Sequence, residues 1–244
     1  MVAIAAALQA CRKRIASACA EAGRRHDCAR LVAVSKTFPA ESVRAAYLAG
    51  QRIFGESYLQ EALPKLEQLA DLPLEWHFIG PLQSNKTRQI ASHFDWVHSL
   101  ANEKIAQRLS DQRPAGMPAL QVCIQINSSR EASKSGVDPD VALALAQRIA
   151  MLPNLHLRGF MTIPEPNHDI VLLRKRFRQV TDVLHAANAA GLTLDTLSMG
   201  MSDDLEAAIF EGATLVRVGT AIFGARPEID TIHHTHQLQQ EQSA

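Results

Sequence analysis

Lys36 ends the run Leu31-Val32-Ala33-Val34-Ser35-Lys36, an apolar, β-branched stretch that reads as a buried strand stopped by Thr37-Phe38-Pro39. An amine at the mouth of such a strand is partly desolvated, which disfavours the ammonium form. A neutral amine is a nucleophile, suited to a Schiff base with a substrate carbonyl or with pyridoxal phosphate. The plainer reading is a lysine that stretches its head into water. Arg217 lies in the apolar run Leu215-Val216-Arg217-Val218, where an unpaired guanidinium is costly to bury. It needs a partner, either a structural carboxylate or a ligand acceptor such as a pyridine nitrogen. Ser198-Met199-Gly200-Met201-Ser202 leads into Asp203 and Asp204, and Gly219-Thr220 follows Arg217-Val218. Glycines let the backbone approach an anion, while hydroxyls and N–H groups at a helix start donate to it, so these two segments suit a phosphate. The competing reading takes Ser202 as an N-cap and Gly219 as a turn glycine.

These residues share a site only if the elements that carry them converge. Residues 3 to 22 read as an opening amphipathic helix closed by Gly23. Short apolar strands then alternate with helical patterns: Leu31 to Lys36, Arg52 to Gly55, Glu75 to Gly80, Trp96 to Leu100, Leu120 to Asn127, Leu157 to Ile163, Leu194 to Ser198 and Thr214 to Gly219. Asn102 is an expected N-cap, and Ser202 is another, for a helix reaching Glu211. Eight βα units without a dividing linker point to an α/β fold, a single (β/α)8 TIM barrel with an extra N-terminal helix. A doubly wound open sheet is the alternative, but it would need a G-x-G-x-x-G turn after an early strand, and none is present. In a barrel the active face is the ring of C-terminal strand ends, and the loops after strands seven and eight commonly bind phosphate. Lys36, Ser57, Met201, Ser202, Arg217, Gly219 and Thr220 all fall on that ring. His77, between Trp76 and Phe78, reads as a satisfied core histidine, and Lys134 as a loop lysine over the same mouth.

Twenty-five basic residues balance twenty-five acidic ones, so neither nucleic acid nor an anionic membrane is the expected partner. Cys11, Cys19, Cys28 and Cys123 show no C-x-x-C or metal-ligand spacing and read as idle thiols of a reducing compartment. Leu8-Gln9-Ala10-Cys11 faintly resembles a lipoprotein box, but the basic residues follow the apolar stretch and do not precede it. The expectation is a cytoplasmic chain, residues 1–244, forming one domain with its core at about 28–226. Residues 227–244, with His233, His234 and His236, read as a flexible tail and not as a metal site.

Several longer stretches carry a resemblance. Leu31 to Thr37, Phe54-Gly55-Glu56, Trp76 to Lys86, Ser133 to Gly136, Leu157 to Met161, Leu197 to Asp203 and Val216 to Gly224 together make the chain similar to the pyridoxal phosphate homeostasis proteins, the YggS/PROSC-like group. Their single barrel resembles the N-terminal domain of alanine racemase. The resemblance implies that Lys36 carries pyridoxal 5′-phosphate as an internal aldimine. It further implies that Ser202, Gly219 and Thr220, with backbone help around Met201, hold the phosphate, and that Arg217 faces the pyridine nitrogen. One departure stands out: the family has Asn after Gly-Glu in its second motif, and this chain has Ser57.

Arg217 bears on the reaction type. A guanidinium donates to the pyridine nitrogen but does not protonate it, which leaves a poorer electron sink. Alanine racemase-like enzymes take a second acid/base from a tyrosine outside the barrel. Residues 225 to 244 contain neither tyrosine nor cysteine, and Tyr47 and Tyr58 fall in segments expected to pack outside the barrel. The favoured reading is a monomeric protein that buffers or delivers the cofactor to apo-enzymes by reversible exchange, without substantial turnover. The alternatives are a pyridoxal phosphate-dependent amino-acid racemase or lyase, and a Schiff-base aldolase-type barrel.

Overall fold

The computed structural model describes residues 2–129, 135–167 and 169–225. Helix α1 (Val2–Glu21) precedes the first strand. Then β1 (Arg30–Val34), α2 (Ala40–Leu48), β2 (Ile53–Glu56), α3 (Leu59–Gln68), β3 (Glu75–Phe78), α4 (Thr87–His93), β4 (Trp96–Leu100) and α5 (Glu103–Gln112) alternate. The second half runs β5 (Leu120–Ile126), α6 (Pro139–Ala150), β6 (Leu155–Thr162), α7 (Ile170–Ala189), β7 (Thr196–Ser198), α8 (Leu205–Phe210), β8 (Leu215–Val218) and α9 (Thr220–Phe223). The strands close into one parallel barrel in sequence order, with β8 returning to β1.

Strands buried on both faces need apolar residues throughout, and β1, β4 and β8 carry them with little interruption. The outer layer packs residues such as Phe54, Phe160 and Phe177 between sheet and helices, while Val32, Trp96, Cys123, Met161 and Leu215 form a separate cluster. Asn102 caps α5 as expected, its side chain accepting from the Ile105 N–H at 2.9 Å. Helix α1 lies outside the barrel against α2, α8 and α9, and so spans the seam where the barrel closes. No helix among the described residues is long and apolar enough to cross a membrane.

Two sequence expectations change. Ser202 does not cap a helix: α8 begins at Leu205 after a turn, and Asp204 occupies the position before it. The strands that carry Lys36 and Gly219 stop at Val34 and Val218, so both residues lie just beyond the sheet where side chains and N–H groups are released from ladder pairing. Lys134 and residues 227–244, with their three histidines, lie outside the described residues.

Candidate functional site

Closure of the barrel sets Ala33 beside Val218 on one flank of β1 and beside Phe54 on the other. The residues that follow β1, β2 and β8 therefore meet at one rim. Lys36 is half-buried there, and both of its chain neighbours are tied to one buried ionic cluster. Ser35 Oγ donates to Glu56 Oε1 at 2.6 Å. Lys65 Nζ, at the inner face of α3, donates to the Ser35 carbonyl (2.9 Å), to Glu56 Oε1 (2.7 Å) and to Glu61 Oε1 (3.0 Å). An ammonium has three donors, and all three are used. The Thr37 N–H donates to Glu61 Oε1 at 2.5 Å, which steadies Thr37 at φ 68°, a left-handed conformation unfavourable for a side chain with a branched Cβ. Burial pushes the Glu56 carboxyl above its usual range even though Lys65 and Ser35 pull it down, and Glu56 Oε2 is buried without a partner. The cluster fixes the course of the backbone on both sides of Lys36.

Arg217 is 4% exposed. Its Nη1 donates to the carbonyl and to Oγ of Ser198, each at 2.6 Å, and its Nη2 donates to the Thr162 carbonyl at 2.9 Å. The partner required by its sequence setting is thus a set of neutral oxygens from β6 and β7, and no carboxylate is among them. Burial lowers its pKa to about 10, so the guanidinium is charged at neutral pH. His77 is fully buried and satisfied, as its flanking aromatics suggested, with Nε2 at 2.7 Å from Glu75 Oε1 and Nδ1 at 2.8 Å from His98 Nε2.

Lys36, Ser57, Met201, Ser202, Arg217, Gly219 and Thr220 all line one cavity of about 510 Å³, with Val34, Ile79 and Ile163 as its apolar wall. That volume lies within the range of about 300–1,000 Å³ usual for small-molecule sites. The first bonds of α9 are donated by Ile222 and Phe223 to the Gly219 carbonyl, which leaves the Thr220 and Ala221 N–H groups outside the helix's own ladder. Met201 is different: its N–H is taken by Asp204 Oδ1 at 2.6 Å, so its contribution to the lining is not a free amide donor. Two glycines shape the rim. A Cβ on Gly80 would stand 2.0 Å from the Ser57 carbonyl oxygen, so only glycine lets the segment after β3 pass the backbone that presents Ser57. Gly200 has φ +95°, and a Cβ there would meet Ala208 Cβ at 2.7 Å, which keeps the turn after β7 tight against α8.

One lining residue escaped the sequence reading. Arg14, on α1, reaches the same cavity, clamped by paired bonds to Glu206 (both 2.9 Å) and donating to the Ser202 carbonyl at 3.0 Å. Its helical setting resembles that of any surface arginine, and its partner lies 192 residues away. No local signal marks it.

The alanine racemase N-terminal domain family matches residues 7–227. A pyridoxal phosphate homeostasis protein of Pseudomonas aeruginosa is 61% identical over 213 residues, covering 87% of this chain and 91% of that protein. The protein of the same name from Escherichia coli K12 is 50% identical over 218 residues, covering 88% and 93%. Among solved structures, PipY of Synechococcus elongatus PCC7942 with PLP bound superposes with a TM-score of 0.80 at 36% identity, covering 91% of this chain and all (100%) of that one. Alanine racemase from Corynebacterium glutamicum shares the fold, with a TM-score of 0.66 at 19% identity, over 93% of this chain and 62% of its own. The chain belongs to the pyridoxal phosphate homeostasis protein family, built on the alanine racemase N-terminal domain.

Proposed function

We propose that this protein binds pyridoxal 5′-phosphate reversibly through Lys36 and buffers or delivers it inside the cell, without substantial turnover. The observation that carries this reading is the single cavity onto which Lys36, Arg217, the Ser202 turn and the Gly219-Thr220 turn all open. The residues fit the group. An amine stands at one part of the lining, hydroxyls of Ser202 and Thr220 with uncommitted N–H groups at another, and a donor-only guanidinium at the depth of the barrel. When bound, pyridoxal phosphate supplies an aldehyde that amines capture and release. Lys36 offers the capturing amine, and the ionic cluster on either side of it limits where that amine can swing. Ser202, Thr220 and the N–H groups that open α9 would donate to the phosphate. Arg217 would donate to the ring nitrogen and keep its own proton, leaving the ring a weak electron sink and disfavouring carbanion chemistry.

Tyr58 is 50% exposed, Tyr47 stacks under the Arg52 guanidinium at 3.9 Å, and neither lines the cavity. This arrangement favours a carrier over a two-base racemase. Because one chain supplies the amine, the phosphate donors and Arg217, a monomer can work alone and hand the cofactor to apo-enzymes in the cytoplasm. The test is the visible spectrum of the full chain titrated with pyridoxal phosphate, before and after borohydride, with mass spectrometry of the reduced product. A yellow band that bleaches, and a single adduct on Lys36 that Lys36→Ala removes, is the expected result. An adduct on another lysine, or proton exchange at the α-carbon of amino acids in heavy water at enzyme-like rates, overturns the reading.

A further inference from the structure

The barrel interior holds a chain of hydrogen bonds whose direction can be worked out from its two ends. It begins at Arg217 Nη1, passes to Ser198 Oγ (2.6 Å), to His98 Nδ1 (2.7 Å), from His98 Nε2 to His77 Nδ1 (2.8 Å), and ends from His77 Nε2 on Glu75 Oε1 (2.7 Å). Five side chains on β3, β4, β7 and β8 are joined across the lumen, and Ser198, His98 and His77 are all fully buried. Glu75 lies at the opposite end of the barrel from Lys36, about one-third exposed, with Arg30 donating to both its oxygens at 3.1 Å.

Arginine has donors only, so Ser198 Oγ must accept from it. That leaves the Ser198 O–H able to donate to His98 Nδ1, in which case a neutral His98 carries its proton on Nε2. His77 Nδ1 accepts that proton's bond, and His77 in turn carries its own proton on Nε2, aimed at Glu75. The far end fixes this order: an ionised carboxylate only accepts, so His77 Nε2 donates to Glu75, His98 Nε2 to His77 Nδ1 and Ser198 Oγ to His98 Nδ1. Every bond points from Arg217 towards Glu75, and no other tautomer pair satisfies all four contacts with both rings neutral. Burial keeps the rings neutral, reinforced at His98 by the charges around it and opposed at His77 by Glu75 and Asp95. His98 faces His77 and the Arg217 cation; His77 faces Glu75, with Arg30 and Asp95 further off. Burial depresses both imidazoles, His98 far more, because its neighbours repel a second proton while Glu75 partly favours one on His77. Glu75 itself stays below its usual value: burial opposes the charge, but the His77 bond and the Arg30 charge outweigh it.

We propose that Glu75, His77, His98 and Ser198 form a one-way hydrogen-bonded strut that aims the Arg217 guanidinium, which makes His98 a positioning residue for the cofactor's ring nitrogen. The last clause rests on the function proposed above; the strut itself does not. Each link that donates onward becomes a better acceptor for the link before it, so a carboxylate at the closed end of the barrel strengthens the hold on Arg217 while the links between carry no net charge.

The experiment uses the full chain in two arms. Without cofactor, ¹⁵N resonances of the histidine rings and of the Arg217 guanidinium are recorded from about pH 5.5 to 8, the range in which an ordinary imidazole titrates. The expected result is two neutral Nε2–H rings throughout and slowly exchanging Arg217 N–H signals. Those arginine signals should broaden in His98→Leu and persist in His98→Gln, whose amide keeps one acceptor and one donor. With pyridoxal phosphate, His98→Leu should bind about tenfold more weakly and His98→Gln within about threefold of the unsubstituted chain, the scale of one hydrogen bond lost or kept. If His98→Leu does not fold, Ser198→Ala takes its place, with the same loss expected. A protonated His98 near pH 6, a proton on Nδ1, or a folded His98→Leu that binds the cofactor undiminished overturns the proposal. Failure of the unsubstituted chain to bind pyridoxal phosphate overturns the proposed function, and the ring spectra still decide the strut.

Discussion

Two buried polar networks stand behind the two side chains that define the cavity, and they meet the cost of burial in opposite ways. Beside Lys36, opposite charges pair directly: Lys65 is clasped by Glu56 and Glu61, and the backbone of Ser35 and Thr37 is hung from the same groups. Behind Arg217, the contacts are neutral: two carbonyls, a hydroxyl, and through that hydroxyl two uncharged imidazoles. A closed ion cluster is self-sufficient and rigid, and it punishes removal of any one charge. A neutral chain leaves the guanidinium without a carboxylate in hydrogen-bond contact, its charge opposed only at a distance by Asp204. The first network fixes the backbone on both sides of Lys36; the second orients the Arg217 guanidinium.

The sharpest way to break this contrast is Lys65→Met. It leaves Glu56 buried without its cation, and a loss of about 3–5 kcal/mol in unfolding free energy is expected from urea titration. A loss under about 1 kcal/mol would mean the cluster is not the anchor described. His98→Leu should cost less, about 1–3 kcal/mol for two unmade bonds of neutral groups. Equal losses in the two variants would erase the distinction between charged and neutral support.

A pH series sharpens the comparison further. The folded state refuses protons at His77 and His98 that the unfolded chain takes up. Their contribution is therefore present above the ordinary histidine value of 6.5 and is lost as pH falls towards the lower folded values. The slope reaches at most about 1.4 kcal/mol per pH unit for each ring, and His98→Gln should remove one ring's share. Glu56 acts with the opposite sign. Its raised pKa gives a contribution present below the ordinary 4.5 and lost as pH rises through the folded value, so Glu56→Gln should flatten the stability curve on that side. Parallel pH curves for both variants and the unsubstituted chain would contradict these assignments. The smallest effect is expected at Ser57, which lines the cavity but belongs to neither network. Ser57→Asn should change affinity for pyridoxal phosphate by under about tenfold, the scale of one neutral hydrogen bond, read from the same titration.

Much of the barrel was legible because its signals are local. The Trp96–Leu100 strand and the Asn102 cap follow from alternating apolar runs and a polar residue before a helix, and both hold as expected. The turn after β7 was misread for an equally local reason. Ser202 before an acidic first turn resembles an N-cap, yet Asp204 turns its carboxylate to the Met201 N–H and α8 starts later, so propensity yielded to the tight packing at Gly200. Lys36 and Arg217 announced themselves because a charge inside an apolar strand is conspicuous in any chain. Arg14 and Lys65 did not, since charged residues on amphipathic helices are ordinary, and only the folded barrel brings their partners within reach.

The order of strands, the position of Lys36 at a strand end, the small-residue turns after β7 and β8, and the need of Arg217 for a partner were determined by the sequence alone. Each depends on periodicity or on the cost of burying a particular group, and both are properties of short segments. Which partners Arg217 takes, how Lys65 pins the backbone beside Lys36, and the single direction of bonds from Arg217 to Glu75 were decided by the tertiary structure. Their decisive links, Arg217 to Ser198, Lys65 to the Ser35 carbonyl and His98 to Ser198, close separations of 19, 30 and 100 residues to hydrogen-bonding distance, and only the completed barrel brings such atoms together.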